Sequence, residues 1–116
     1  MEFLFREVDG DVLVVSADGG LDGDTAPQFH AELEKLVESG MRKMIIDCTR
    51  LTYVSSYGLG VLLRLHKRLA GLGGDVKLAA VPGMVAAVLR VSKLDSLFSI
   101  YPDVDRARLE FRPRDA

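Results

Sequence analysis

The stretch from Ile45 to Leu63 leaves a chain of this size few ways to fold. Met44 to Asp47 form a short apolar run without polar alternation, which suits a strand covered on both faces or central in a sheet. From Gly58 onward Leu59, Leu62, Leu63, Leu65 and Leu69 recur as the broad apolar face of a helix. Between the two lies a tight turn with adjacent serines, Ser55 and Ser56, so hydroxyls sit where a helix amino end emerges. Such an end carries unpaired N–H groups and roughly half a positive charge, which makes it a natural place for a phosphate or another anion.

The flanking segments extend this unit into an alternating pattern. Phe3 to Val8 and Asp11 to Ala17 are β-branched or aromatic-rich runs around Asp9-Gly10, which predicts a hairpin with its turn at that dipeptide. Asp18 to Asp24 reads as a loop with three glycines and three carboxylates, without the ligand spacing or closing glutamate of a calcium loop. Thr25 is placed to cap a helix, Pro27 suits its first turn, and Gln28 completes a capping box. Phe29, Leu33, Leu36 and Val37 then mark a buried helical face as far as Gly40, with His30 at its boundary.

Arg64, Lys67 and Arg68 lie opposite the leucines of the next helix and read as a solvated basic face, and Gly71, Gly73 and Gly74 close that helix. Val76 to Val81 is a strand, and Pro82-Gly83 opens a helix with Val85, Val88, Leu89 and Met84 inward. Leu97 to Ile100 is the last strand, Val104 to Phe111 a final helical segment, and Pro113 marks a frayed tail. The order ββ, α, β, α, β, α, β, α predicts a mixed sheet with crossover helices, and no linker or repeat divides residues 1–116 into more than one domain.

Composition narrows the function. Apolar residues at 48%, charged residues at 28% and a formal charge of -2 describe an ordinary soluble domain without general attraction for nucleic acid or anionic membrane. Protein or small-molecule partners are expected. A lone Cys48 and two distant histidines, His30 and His66, form no spaced zinc set, and neither a signal peptide nor a spanning segment is legible, so a reducing cytoplasm is the expected location.

The usual enzyme signatures are missing around the serines. Gly58-x-Gly60 begins like a dinucleotide fingerprint, but its third glycine position is Leu63, and no phosphate-binding G-x-x-x-x-G-K-[ST] loop exists. His66 lies about ten residues down the helix, too far along the axis to act as a base for either serine. No catalytic residue, metal site or cofactor is therefore expected. Locally, Ser55 or Ser56 could be no more than a helix cap.

Taken together, Gly19-x-Leu21-Asp22 with Thr25-Ala26, then Ile46-Asp47 and Leu51-x-Tyr53-Val54-Ser55-Ser56-x-Gly58-Leu59-Gly60-Val61-Leu62, resemble the STAS-domain family, specifically its bacterial anti-sigma factor antagonists. The likeness extends through Gly73-Gly74 to Leu94-x-x-Leu97-Phe98-x-Ile100. It implies an α/β STAS fold: a mixed sheet of four to five strands with about four helices packed largely on one side.

The resemblance also implies a function. Regulatory members, when unphosphorylated, bind an anti-sigma factor that is itself a serine kinase and so release a sigma factor; the kinase uses ATP to phosphorylate the antagonist, and a PP2C-type phosphatase reverses the modification. Carried onto this chain, the phosphorylated serine is Ser56, with Ser55 where the family usually has aspartate and Tyr57 where it has serine or threonine. Asp22, Thr25, Ser55, Ser56, Tyr57, Gly58 and Leu59 are the expected partner-binding residues, in a cytoplasmic monomer or weak dimer. The alternative is a constitutive STAS module of a transporter-associated or signalling-scaffold complex, never phosphorylated.

Overall fold

The computed structural model describes the backbone of residues 2–111 and the side chains of residues 8–111; the expected tail at Pro113 lies outside the described residues. Strands β1 (Glu2–Asp9) and β2 (Val12–Leu21) form the antiparallel hairpin. Its last pair is Asp9 with Val12, so the turn is Gly10-Asp11, one residue later than Asp9-Gly10. Gly10 takes the turn's first central position at φ +64, where a residue with a side chain would be strained.

β2 is the hub of the sheet. It pairs in parallel with β3 (Lys43–Asp47), which pairs with β5 (Asp75–Ala79), which pairs with β6 (Ser99–Tyr101), giving the order β1-β2-β3-β5-β6. The distal end of β2 carries a further parallel partner, β4 (Leu51–Val54), through Gly19 with Leu51, Gly20 with Tyr53 and Leu21 with Val54. The fold class is as expected, but the strands number six where four to five were implied. Asp18 to Leu21, expected as loop, is strand because Asp18 pairs with Glu2 of β1 and Gly19 to Leu21 pair with β4. β4 itself escaped notice: its four residues run buried, exposed, exposed, buried, which matches neither alternation nor a continuous apolar run.

Strand periodicity divides the core between the two faces of the sheet. Leu13, Val15, Met44, Ile46, Val76 and Leu78 point one way, toward α1 (Ala26–Glu38), α2 (Ser56–Gly71) and α3 (Gly83–Val91). Val12, Val14, Ile45 and Ala79 point the other way, toward Ala107 of α4 (Val104–Glu110). Both faces of β3 are therefore buried, which is why its sequence lacks alternation. Lys77 is buried on the α4 side; its ammonium lies 3.0 Å from Asp75 and 4.5 Å from the centre of the Phe111 ring.

Several local expectations need correction. α3 has only nine residues and seats Val85 and Leu89, one turn apart, so Met84 falls on the outer side and is 70% exposed. β5 stops at Ala79 rather than Val81, because Ala80 turns into the left-handed region at φ 55. Thr25 does occupy the α1 cap position, but its side chain makes no capping bond, so the Thr25–Gln28 capping box does not form.

Close packing is tested at two glycines. A Cβ at Gly74 would overlap the backbone carbonyl of Arg42, whereas one at Gly71 would meet nothing within 4 Å. Gly74→Ala is expected to destabilise by about 2 kcal/mol or more, while Gly71→Ala leaves stability unchanged or raises it by up to about 1 kcal/mol. Urea denaturation of the two variants measures both.

Candidate functional site

The site forms where β2 and β4 end side by side. The Ser55 N–H donates to the Leu21 carbonyl at 2.8 Å, tying the turn after β4 to the end of β2. Ser55 is extended, at φ -88 and ψ 178, and its carbonyl accepts the Leu59 N–H at 2.9 Å, so α2 starts at Ser56. Gly58 permits this start: a Cβ there would come 2.7 Å from the Leu21 Cβ and 3.0 Å from the Leu21 carbonyl oxygen. The first turn of α2 thus rests directly on β2.

The two serines have different surroundings. The Ser55 hydroxyl is sealed from solvent and has no hydrogen-bond partner among the described residues; it does not cap α2. Leaving a buried hydroxyl unpaired costs about 1–3 kcal/mol, which the packing around it must offset. Ser56, one residue on, is exposed. With no acidic side chain in its first turn, α2 leaves the partial positive charge of its amino end unneutralised from within.

Asp22 and Thr25 form a connected network beside this turn. Asp22 Oδ1 accepts the backbone N–H groups of Asp24 at 2.9 Å and Thr25 at 3.1 Å. The Thr25 hydroxyl donates to the Gly20 carbonyl at 2.8 Å and accepts the Asp22 N–H at 2.9 Å. It is thus spent on the loop, which is why it does not cap α1. The Tyr53 hydroxyl donates to Asp22 Oδ2. That bond, followed by the two backbone N–H groups, holds the Asp22 carboxyl down at about 2, and it raises the Tyr53 phenol in turn. Asp22 is a fixed negative charge at neutral pH.

Tyr53 is the site residue that sequence reasoning missed. Its ring covers Gly20, where any Cβ would overlap it, and the glycine opposite an aromatic on a neighbouring strand was the available signal. Pairing of the two was not legible without β4. Tyr57 stands 68% exposed, with its ring over Gly23; a Cβ there would lie 3.6 Å from the ring edge. Asp22, Thr25, Ser55, Ser56 and Tyr57 therefore come together at one end of the sheet. Gly58 is buried and Leu59 packs against the core, so these two shape the turn rather than its outer surface.

Other reactive groups stand apart. Cys48 is buried after β3, and burial pushes its thiol up to about 12, where no thiolate forms at neutral pH. The His66 ring packs edge-on to Phe98 at 5.3 Å. Among the described residues no group of three or more His, Cys, Asp or Glu could hold a metal ion, and no helix is long and apolar enough to cross a membrane.

The structure is thus a six-stranded mixed sheet with a serine-led helix starting where β2 and β4 end. The chain belongs to the STAS domain family, whose model matches residues 5–107. It is 30% identical to a Bordetella bronchiseptica protein, BtrV, described as an anti-sigma factor antagonist, over 97% of this chain and 96% of that one. Among solved structures it is similar to an anti-sigma factor antagonist from Mycobacterium paratuberculosis, with a TM-score of 0.87 and 26% identity over 97% of this chain and 94% of the other. The Bacillus cell fate determinant SpoIIAA, in its phosphorylated form, shares the fold at a TM-score of 0.76 and 21% identity, covering 96% of this chain and all, 100%, of its own.

The hydrogen bond from Tyr53 is the first cause of the low Asp22 pKa, so Tyr53→Phe is expected to move the carboxyl titration upward from about 2 toward the ordinary 3.8. In the parent chain, stability from this depressed carboxylate is fully present above the ordinary value and is lost as pH falls through about 2. The variant loses part of that acid-side dependence. Carboxyl carbon chemical shifts followed against pH give the titration directly.

Proposed function

We propose that this protein is an anti-sigma factor antagonist working in the cytoplasm: unphosphorylated, it binds an anti-sigma factor that is a serine kinase, and phosphorylation of Ser56 ends the complex. The observation that carries this reading is the pair of serines at the start of α2, with Ser56 exposed and the Ser55 hydroxyl sealed. A serine kinase acting on this pair meets one accessible serine hydroxyl. The names of the relatives, anti-sigma factor antagonists in Bordetella and Mycobacterium, support the partner class. The phosphorylated form of SpoIIAA, on the same fold, supports the chemistry.

The surroundings of Ser56 suggest how the switch acts. A phosphate adds roughly -1.5 to -2 charges at neutral pH, and the α2 amino end tolerates an anion, so the fold is kept. Across a protein interface the same dianion must be desolvated beside Asp22, already a fixed negative charge. An unpaired charge buried at an interface costs about 2–5 kcal/mol, enough to dissolve the complex. A PP2C-type phosphatase restores binding by removing the group.

The test begins with the cognate kinase, ATP and mass spectrometry of the modified chain. Phosphate is expected in the parent and in Ser55→Ala, and none in Ser56→Ala; a stable complex with no phosphate under any kinase would instead assign a constitutive interaction module. By titration calorimetry, Ser56→Asp is expected to bind the anti-sigma factor about a hundredfold more weakly or worse, with an unchanged circular dichroism spectrum. Tyr57→Ala, which removes an exposed aromatic anchor without touching the core, is expected to weaken binding about tenfold or more while leaving Ser56 open to the kinase.

A further inference from the structure

Away from the serine turn, α1 and α2 leave between them a notch of about 510 Å³. Its apolar floor comes from Leu33 and Leu65, and its rim carries His30, Arg64 and Lys67. Glu34 and Arg68 also line it, but they answer each other: Arg68 Nε lies 3.0 Å from one Glu34 carboxylate oxygen and 3.3 Å from the other. Arg64 and Lys67 are exposed and make no ion pair among the described residues. The notch therefore presents two unspent positive charges over an apolar base, on a chain whose overall charge is -2.

The dimensions decide what kind of occupant fits. The lining residues run from 30 to 34 on α1 and from 64 to 68 on α2, one turn of each and about 6 Å along either axis. A docked peptide helix reads anchors at i, i+3 or i+4 and i+7, more than one turn can seat. The volume falls within the range of small-molecule sites, about 300–1,000 Å³. The long stems of Arg64 and Lys67 extend the apolar wall while their heads remain free for an oxyanion, the arginine with a planar fork that matches phosphate or carboxylate.

We infer that this notch binds a small organic anion, an apolar or aromatic body bearing a phosphate or carboxylate, with Arg64 and Lys67 as its charge-reading residues. The ligand would lie two to three helical turns from Ser56, so it is a site separate from the partner-binding turn.

The test is a titration of the isotopically labelled full chain followed by amide resonances. The probes 1-naphthyl phosphate and 1-naphthoate carry the two oxyanion types on one aromatic body; the tighter of them names the head group. Saturable shifts confined to residues around 30–34 and 64–68 are expected, with inorganic phosphate and 1-naphthylmethanol each about tenfold weaker because each offers only half of the recognition. Arg64→Gln and Lys67→Gln are each expected to weaken the better probe about tenfold while leaving the remaining spectrum unchanged, and Lys93→Gln, two residues past α3 and outside the lining of the notch, leaves affinity as it was. Shifts elsewhere, no saturation, inorganic phosphate or the neutral alcohol binding as well as the anion, or full affinity in both glutamine variants would each overturn the assignment. So would stronger binding at these residues by a glutamate-rich helical peptide, which would make the notch a protein contact.

Discussion

The parallel pairing of Gly19, Gly20 and Leu21 with β4 is the constraint on which the candidate functional end of this protein depends. It places the end of β4 against the end of β2, and the bond from Ser55 N–H to the Leu21 carbonyl continues the ladder into the turn. Every site residue takes its place from that junction. Tyr53 reaches Asp22 because its strand neighbour is Gly20, Gly58 lets α2 settle on Leu21, and Tyr57 comes to rest on Gly23. Gly20 and Gly58 serve one purpose here, which is close approach between a backbone and a neighbouring chain segment, whereas a Cβ at Gly23 would meet Tyr57 in ordinary contact.

The site is rigid below and exposed above. Leu21, Val54 and Gly58 are buried under the turn, and the Asp22 network closes the adjacent loop with hydrogen bonds from two backbone N–H groups and the Tyr53 hydroxyl. In the proposed switch, a charge added at Ser56 on such a base would change what the surface accepts without needing to move the elements that carry it. The cost falls on a complex, where the charge loses its water, and not on the free chain, where it keeps it. The sealed Ser55 hydroxyl shows that chemical likeness between adjacent residues says little about access: backbone direction at the start of a helix turns one side chain in and the next one out.

Much of the fold was legible because its signals are local. The Phe29, Leu33, Val37 stripe and the leucines of α2 repeat at the helical period, β3 is apolar throughout because both its faces are covered, and Asp103 caps α4 with its own side chain, bonded to the Arg106 N–H at 2.8 Å. β4, the strand character of Gly19 to Leu21 and the position of Met84 were not legible. Each is decided by a neighbour remote in sequence: β4 and the end of β2 exist as strands only for one another, and α3 is too short for its own pattern to say which apolar residues face in. Asp22, Thr25, Ser55, Ser56 and Tyr57 were singled out through the order of motifs along the chain, whereas Tyr53 was not, since it joins them only when its hydroxyl meets a carboxylate 31 positions away.

By itself, then, the sequence determined the alternation of strands and helices, the family, and the turn where two serines meet the amino end of a helix, because periodicity, glycine placement and capping residues act over a few positions. Only the tertiary structure decided which of the two hydroxyls is open, that Asp22 is held ionised by Tyr53, and that two basic residues of α2 share a notch with α1. Those outcomes are set by burial and by hydrogen bonds across elements, which no local stretch of chain can specify alone.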